Sequence, residues 1–424
     1  MRSVGVLTLG CKVNAYESEY VINELRKNNY EIKEFTDICD VYIINTCTVT
    51  NTSDIKSKKM IRAAIKRNPS ACVVAMGCFI EANKDYETEG LDIVIGNKDK
   101  SKIVELLDNY FKKQSMIKRL YSEEFTSFED MYITDFPGRT RAFVKIQDGC
   151  ENFCSYCIIP FVRGKCRSKN KEEVIKEVRS LVANGYQEIV LTGIHTGNYG
   201  VDLDTNFATL LKELVTIKGL KRLRISSIEI TELTEEVLEV IKNSSIIVDH
   251  MHIPLQAGSD EVLKLMNRKY DLEYFYNKIK KIRDIRPQIS ITTDVLVGFP
   301  GETEELFQRT IQTCRDLELT KLHVFPFSLR KGTKAEILPN HIEVEEKKAR
   351  ARRLLEVSKE LELKYYNKYI DKEVDVLIET TKDGYSLGHT GNYLHVKINK
   401  ELEHNTFVTV KIKSIDYPYC IAEL

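Results

Sequence analysis

The chain has 424 residues, 42% of them hydrophobic and 30% charged, and its 63 basic and 63 acidic side chains leave no net charge. That length calls for more than one domain, and that composition describes a soluble globular protein whose nucleic-acid contacts, if any, come from local basic patches. No apolar run approaches the ~18 residues of a membrane span, and Met1-Arg2-Ser3-Val4 opens a strand rather than a signal peptide, so the expected location is cytoplasmic. Eleven cysteines in such a chain read as reduced, metal-binding thiols and not as a disulfide framework.

Val4–Leu9 is an apolar run that stops at Gly10-Cys11. Asn14 and Glu17 then form something like a capping box for a helix faced by Tyr20, Val21, Ile22 and Leu25. Val41–Ile44 ends at Asn45-Thr46-Cys47, Ala71–Ala75 ends at Met76-Gly77-Cys78, and Asp92–Ile95 precedes a helix over Lys100–Phe111. Strands alternating with helices predict a parallel sheet, which binds ligands at the carboxyl ends of its strands. Cys11, Cys47 and Cys78 each lie one or two residues past such an end, so the topology gathers three thiols on one edge. Cys39 and Cys72 read as packing residues. Asn51-Thr52-Ser53-Asp54 caps a helix carrying Lys56, Lys58, Lys59, Arg62, Lys66 and Arg67, a basic face suited to a phosphate backbone and equally typical of a solvated surface.

Residues 114–135 have no clear period and read as a linker. Strand Ala142–Ile146 then delivers Cys150-Glu151-Asn152-Phe153-Cys154-Ser155-Tyr156-Cys157. Three thiolates at C-x3-C-x2-C suit an iron–sulfur cluster with one iron free of protein, whereas zinc normally recruits a fourth Cys or His nearby. An open iron can chelate a small molecule, which points to catalysis. A chance cysteine-rich loop or a zinc knuckle is the bland alternative. Further strands over Glu188–Leu191, Leu223–Ile225, Val248–Ile253, Ile291–Val297 and Leu322–Phe325 alternate with helices, making six βα units and predicting an open (β/α)6 partial TIM barrel. A charged helix from Glu343 to Lys368 reads as a solvated connector. Five short strands between Val374 and Glu423, with a hairpin turn at Asp383-Gly384, predict a small antiparallel barrel of an oligonucleotide-binding kind. Its Lys382, Tyr385, His389, Tyr393, His395 and Lys397 offer basic and stacking groups.

The loop Cys150–Cys157 closely resembles the signature of radical S-adenosylmethionine enzymes. Gly10-Cys11-Lys12-Val13-Asn14, Asn45-Thr46-Cys47-Thr48-Val49-Thr50 and Met76-Gly77-Cys78 look like the N-terminal domain of methylthiotransferases, and the final strands resemble the RNA-binding TRAM domain. The resemblance covers nearly the whole chain. It implies a methylthiotransferase domain at 1–113, a linker at 114–135, a radical domain at 136–366 and a TRAM domain at 367–424. It implies two 4Fe-4S clusters, one on Cys150, Cys154 and Cys157 that cleaves S-adenosylmethionine to a 5′-deoxyadenosyl radical, and an auxiliary one on Cys11, Cys47 and Cys78 that handles sulfur. Tyr156 through its backbone, Thr192 and Gly193, and Gly298 and Gly301 of Gly298-Phe299-Pro300-Gly301-Glu302 would contact S-adenosylmethionine. Pro160-Phe161-Val162-Arg163-Gly164-Lys165-Cys166-Arg167-Ser168 matches a further family string, in which Cys166 reads as a spectator, and His195 is a weak candidate for substrate contact.

The loop Leu191–Gly200 and the string Arg224-Ile225-Ser226-Ser227-Ile228-Glu229 resemble the subgroup acting on N6-threonylcarbamoyladenosine in the tRNA anticodon loop. Sister subgroups act on isopentenyladenosine in tRNA or on a ribosomal-protein aspartate. The implied partners are tRNA, an electron donor such as flavodoxin or ferredoxin, and a sulfur donor, with neither membrane nor DNA. A non-catalytic iron–sulfur RNA-binding or electron-transfer protein is the reading of another class.

Overall fold

The computed structural model describes residues 1–113, 118–121 and 125–424. β1 (Arg2–Thr8), α1 (Lys12–Lys27), β2 (Tyr30–Lys33), β3 (Val41–Thr46), α2 (Asn51–Arg67), β4 (Cys72–Gly77), α3 (Cys78–Ala82), β5 (Ile93–Ile95), α4 (Ile103–Lys113) and β6 (Lys118–Leu120) build the first layer. Their six strands pair in parallel in the order β2-β1-β3-β4-β5-β6. β3 and β4 are buried on both faces, as their β-branched runs require. β2 and β6, too short and polar to show in the sequence, flank them as edges, and β6 falls inside the segment that reads as a linker.

The capping box expected at Asn14 and Glu17 does not form. The helix starts earlier, with Cys11 as its N-cap, which leaves Asn14 and Glu17 inside it and buried. Asn14 Nδ2 donates instead to the carbonyls of Leu9 and Thr46, and Glu17 faces buried cations.

Residues 125–135 run extended between the first layer and the next. The Met131 carbonyl accepts from Tyr16 Oη on one side and Lys169 Nζ on the other, at 2.8 and 2.6 Å. β7 (Arg141–Lys145), the short pair β8 (Gln147–Asp148) and β9 (Arg167–Ser168), α5 (Ile159–Arg163), α6 (Lys171–Ala183), β10 (Glu188–Thr192), α7 (Phe207–Leu214), β11 (Arg222–Ile225), α8 (Glu235–Asn243), β12 (His250–His252), α9 (Asp260–Leu265), α10 (Leu272–Ile285), β13 (Ser290–Val297), α11 (Glu304–Asp316) and β14 (Lys321–Pro326) follow. β7, β10 and β11 form one parallel sheet and β12, β13 and β14 another, joined by a parallel bridge from Leu223 to Ile247. The result is the expected open half-barrel of six strands, with one large apolar core under its helices.

α12 (Val344–Asn367) is not the solvated connector its charges suggest. Leu354, Val357, Leu361, Tyr365 and Tyr366 form a buried face, and Ser358 Oγ exchanges hydrogen bonds with the Leu322 backbone of β14. Its last tyrosines enter the core of the C-terminal barrel. β15 (Glu373–Lys382), β16 (Tyr385–Thr390), β17 (His395–Ile398), β18 (Phe407–Asp416) and β19 (Tyr419–Glu423) close that barrel in the order β15-β16-β17-β19-β18, antiparallel except for β17 on β19. Asp383 and Gly384 take the positive φ expected of the hairpin turn, +52° and +82°. Among the described residues no helix is long and apolar enough to cross a membrane.

Candidate active site

Strands β1, β3 and β4 are neighbours, and Cys11, Cys47 and Cys78 leave their carboxyl ends. β1 and β3 flank the point where the strand order reverses, which is where open α/β sheets take ligands. The three thiols feel one another's charge. Burial pushes Cys11 and Cys47 up, and Arg163 opposes this at Cys11. Cys78 Sγ accepts from Arg163 Nε and from Asn97 Nδ2, each at 3.3 Å.

Cys150, Cys154 and Cys157 gather in the loop after β7, also within reach of one another's charge. Burial pushes Cys150 up, and lifts Cys157 to about 12 with Cys154 adding to it. The loop is anchored by Cys150 N–H donating to the Gly164 carbonyl at 3.0 Å. Gly149 permits this: its φ is +78°, and a Cβ there would collide with the Lys165 carbonyl oxygen. Arg268 Nη1 donates to Cys154 Sγ at 3.3 Å and reaches Tyr156 Oη at 3.4 Å, while Nη2 pairs with Glu229.

Among the described residues no three His, Cys, Asp or Glu side chains stand at the spacing of a single metal ion. An iron–sulfur cluster asks for something else: thiols set apart, each for its own iron. The donor chemistry fits, with three thiols in each group and a guanidinium hydrogen-bonded to each group to balance thiolate charge.

Between the two triads lies a buried ionic hub. Arg163 Nη1 is 3.0 Å from both Glu17 Oε1 and Asp148 Oδ1, and Nη2 donates to Asn14 Oδ1 at 2.8 Å. Lys145 reaches Glu17 at 2.8 Å and Asp148 at 2.7 Å, and Lys100 pairs with Glu17. Burial alone would raise both acids, but Arg163 and the lysines hold Glu17 and Asp148 well below the usual carboxylate range. Arg167 also stands 3.8 Å from Asp148, so cations outnumber the two carboxylates and leave positive charge beside Cys78, which suits anionic sulfur.

Residues 144–314 match the Radical SAM superfamily, and residues 3–96 match the Uncharacterized protein family UPF0004. The threonylcarbamoyladenosine tRNA methylthiotransferase MtaB of Bacillus subtilis is 43% identical over 99% of this chain and 95% of its own. That of Aquifex aeolicus is 37% identical over 96% and 98%. The chain belongs to the radical S-adenosylmethionine methylthiotransferase family. A tRNA-2-methylthio-N(6)-dimethylallyladenosine synthase of Clostridium botulinum is also similar, at 35% identity over 88% of this chain and 85% of its own. In fold, the radical S-adenosylmethionine methyltransferase TsrM of Kitasatospora setae superposes with a TM-score of 0.58 at 15% identity, covering 79% of this chain and 77% of that one. As a methylthiotransferase the chain uses two 4Fe-4S clusters and S-adenosylmethionine.

The other residues singled out in the sequence surround the Cys150–Cys157 loop in different ways. Tyr156 packs its ring edge-on to Phe299, 6.3 Å between centroids, so its side chain is structural as well. Thr192 is buried at the end of β10, and Gly193 lies against Gln147, where a Cβ would sit at 3.1 Å. Gly298 has φ +72° and no room for a Cβ beside Lys347, and Gly301 has φ +86°. Glu302 accepts from Gly298 N–H at 2.6 Å and from Arg350 Nη1 at 2.7 Å, fixing the turn and not only the following helix.

His195 is enclosed by its own chain. Nε2 is 2.6 Å from Glu232 and 3.1 Å from Asn152 Nδ2. Burial opposes its charge, but the neighbouring Cys166 and Glu232 lift it to about 10. Cys166 is buried with Sγ 3.8 Å from the Gly149 carbonyl, beside the loop that carries the triad. Arg224, the first residue of the string that resembles the subgroup, is a strut to the barrel: it pairs with Glu188 at 2.5 Å, donates to the Thr390 and Gly391 carbonyls at 2.8 Å, and stacks on Tyr393. A cleft of about 640 Å³, lined by Lys221, Arg222, Arg286 and Lys372 among others, lies at the amino ends of these strands, away from the thiols.

Periodicity could not reveal the contacts made across layers: Glu17 and Arg268 pair with residues far along the chain, and Arg163 shows only through its family string.

Proposed function

We propose that this enzyme methylthiolates C2 of N6-threonylcarbamoyladenosine at position 37 of tRNA, beside the anticodon. The observation that carries the reading is the pair of separate three-thiol groups joined through Arg163. Cys150, Cys154 and Cys157 would hold the cluster that receives S-adenosylmethionine, with Tyr156, Thr192, Gly193, Gly298 and Gly301 around it. Cys11, Cys47 and Cys78 would hold the auxiliary cluster. When bound, these groups supply a radical for hydrogen abstraction and a methylated sulfur for transfer.

The residues of the chain keep the two sites in register. Arg268 and Arg163 each offset thiolate charge, and the hub fixes the loop of one triad against the sheet of the other. The threonylcarbamoyl substrate is supported by the names of the relatives that match over the full length. Isopentenyladenosine is the second reading, supported by the Clostridium botulinum relative.

The same reading divides the chain into 1–113, a connection at 114–135, 136–366 and 367–424, places it in the cytoplasm, and gives it an electron donor and a sulfur donor as partners. An adenosine of the anticodon loop is already unpaired, so presenting its C2 edge avoids the few kcal/mol of flipping a base from a duplex. The test is turnover by reconstituted protein on tRNA bearing either modification, read by nucleoside mass spectrometry. Product from the threonylcarbamoyl form is expected. Product from the isopentenyl form alone overturns the substrate assignment.

A further inference from the structure

The segment 328–335 leaves the carboxyl end of β14 and touches the loops of both triads. At one end, Ser328 Oγ accepts from Asn51 N–H at 3.0 Å. Arg330 then reaches back to the first layer with both arms of its guanidinium. Nη1 donates to Asn51 Oδ1 at 3.0 Å, and Nη2 donates to Thr48 Oγ1 at 2.6 Å and Asp54 Oδ2 at 2.8 Å. At the other end, Ala335 N–H donates to the Ser155 carbonyl at 2.7 Å. Thr48 follows Cys47, and Ser155 follows Cys154. One short strap thus holds the residue after a thiol of each triad.

Arg330, Thr48, Thr333 and Ala335 are all buried. Thr333 Oγ1 donates to the Arg330 carbonyl at 2.7 Å, so the strap folds on itself around the arginine. Thr48 Oγ1 donates in turn to Asp54 Oδ1 at 2.6 Å, which closes arginine, threonine and aspartate into one network. From α2, Ser57 Oγ accepts from Cys47 N–H at 3.3 Å and donates to the Cys47 carbonyl at 3.0 Å. Arg163 secures the other two strand ends, through Cys78 and through Asn14 beside Cys11. Among the described residues, every hydrogen bond from residues 47–54 to the central layer goes to Ser328 or Arg330.

We infer that Arg330 is a positioning residue that holds the Cys47 loop at a set distance from the Cys150–Cys157 loop. The inference rests on the proposed division of labour between the two triads and deepens it. Transfer from one site to another tolerates little misplacement, a shift of about 1 Å costing about 100-fold. Arg330 acts through Thr48, Asn51 and Asp54, and it makes no hydrogen bond to a thiol. The planar guanidinium fork meets all three partners at once, which a lysine ammonium cannot do in the same geometry. Without it the Cys47 loop is held by its own layer alone, and S-adenosylmethionine cleavage runs on without transfer.

The test uses full-length reconstituted protein as wild type, Arg330→Gln, Arg330→Lys and Asp54→Asn. Two quantities are read: methylthio nucleoside formed per 5′-deoxyadenosine released, and amide hydrogen exchange over residues 47–57. Losing hydrogen bonds from a charged group should speed exchange there roughly 10-fold or more in Arg330→Gln. Its product ratio should fall by about 10-fold or more while its iron content is kept. Arg330→Lys should fall between wild type and Arg330→Gln, and Asp54→Asn should move both readings in the same direction. A tie that only stabilised the fold would leave the product ratio alone, so an unchanged ratio in iron-replete Arg330→Gln overturns the assignment. Unchanged exchange over residues 47–57 overturns it too. If Arg330→Gln does not keep its iron, Asp54→Asn is judged by the same two criteria. The ratio is read on tRNA bearing whichever modification wild type accepts. Product from the isopentenyl form alone therefore sinks the substrate assignment and still decides the role of Arg330.

Discussion

Arg163 Nε donates to Cys78 Sγ at 3.3 Å, although Arg163 belongs to the helix that begins two residues after Cys157. One fully buried side chain thereby touches a ligand candidate of one triad and follows directly from the loop of the other. Fixed distance between the two sites is what a transfer from one to the other requires.

Replacing Arg163 with methionine leaves Glu17 and Asp148 in the interior with the two lysines and the more distant Arg167, 3.8 Å from Asp148. Breaking a buried ionic arrangement by removing one member costs about 3–5 kcal/mol. Denaturant unfolding of Arg163→Met should show a loss in that range. Arg163→Lys should recover part of the stability but not the contacts to Cys78 and Asn14, because an ammonium lacks the guanidinium fork. A loss below about 1 kcal/mol for the methionine variant would show that the hub is dispensable.

The two triads should fail differently. Cys154→Ala removes a ligand candidate from the loop that takes S-adenosylmethionine, so 5′-deoxyadenosine release and methylthio product should both vanish. Cys47→Ala leaves that loop whole, and should still release 5′-deoxyadenosine while making no methylthioadenosine. Chromatography of the first product and mass spectrometry of the second separate the cases. Methylthio product from Cys47→Ala would return Cys47 to a packing role at a strand end.

The sequence made some of this legible and hid the rest for physical reasons. Cys11, Cys47 and Cys78 follow β-branched runs, and parallel topology alone aligns such strand ends, so their convergence was readable. The six strands of the half-barrel were readable for the same reason. Glu17 was misread because S/T/N-x-x-E spacing is a local pattern, while its partners Lys145 and Arg163 are more than a hundred residues away. The string Arg224–Glu229 marked a subgroup but carried no sign that Arg224 faces the Thr390 and Gly391 carbonyls, because an arginine near a strand end carries no mark of what it meets. α12 looked solvated because its charges outnumber the one apolar face that packs on β14.

His195 gives a pH dependence of definite sign. The folded chain holds it at about 10 against ~6.5 when unfolded, so the fold favours its protonated form. Its contribution is complete below ~6.5 and is lost as pH rises through about 10. Across that window wild-type stability should decline relative to His195→Asn by about 1.4 kcal/mol per pH unit. Unfolding midpoints of the two proteins between those limits test this, and parallel profiles would show that His195 is neutral in the fold.

The basic helix α2 supplies the last prediction. Its run begins just past Cys47, capped by Thr50 Oγ1 accepting from Ser53 N–H at 3.2 Å. Not all of its charges are free to meet RNA. Lys58 lies over the Phe79 ring at 5.6 Å, and Arg67 donates to the Phe35 carbonyl at 2.5 Å. Lys56, Lys59 and Lys66 are exposed and have no carboxylate partner among the described residues. Each phosphate that such a lysine neutralises contributes ~0.7 to the log–log salt slope for a single strand and ~0.9 for a duplex. Replacing all three with alanine should therefore flatten the slope of tRNA binding by about 2 to 3 units if each meets one phosphate. Exposed lysines carry little stability, so unfolding should be unchanged within about 0.5 kcal/mol, separating lost contact from lost structure. Titrations of wild type and the triple variant across a salt series decide it: a slope and affinity left unchanged would make this face of α2 a solvated surface and leave the RNA contacts to the barrel and the cleft beside it.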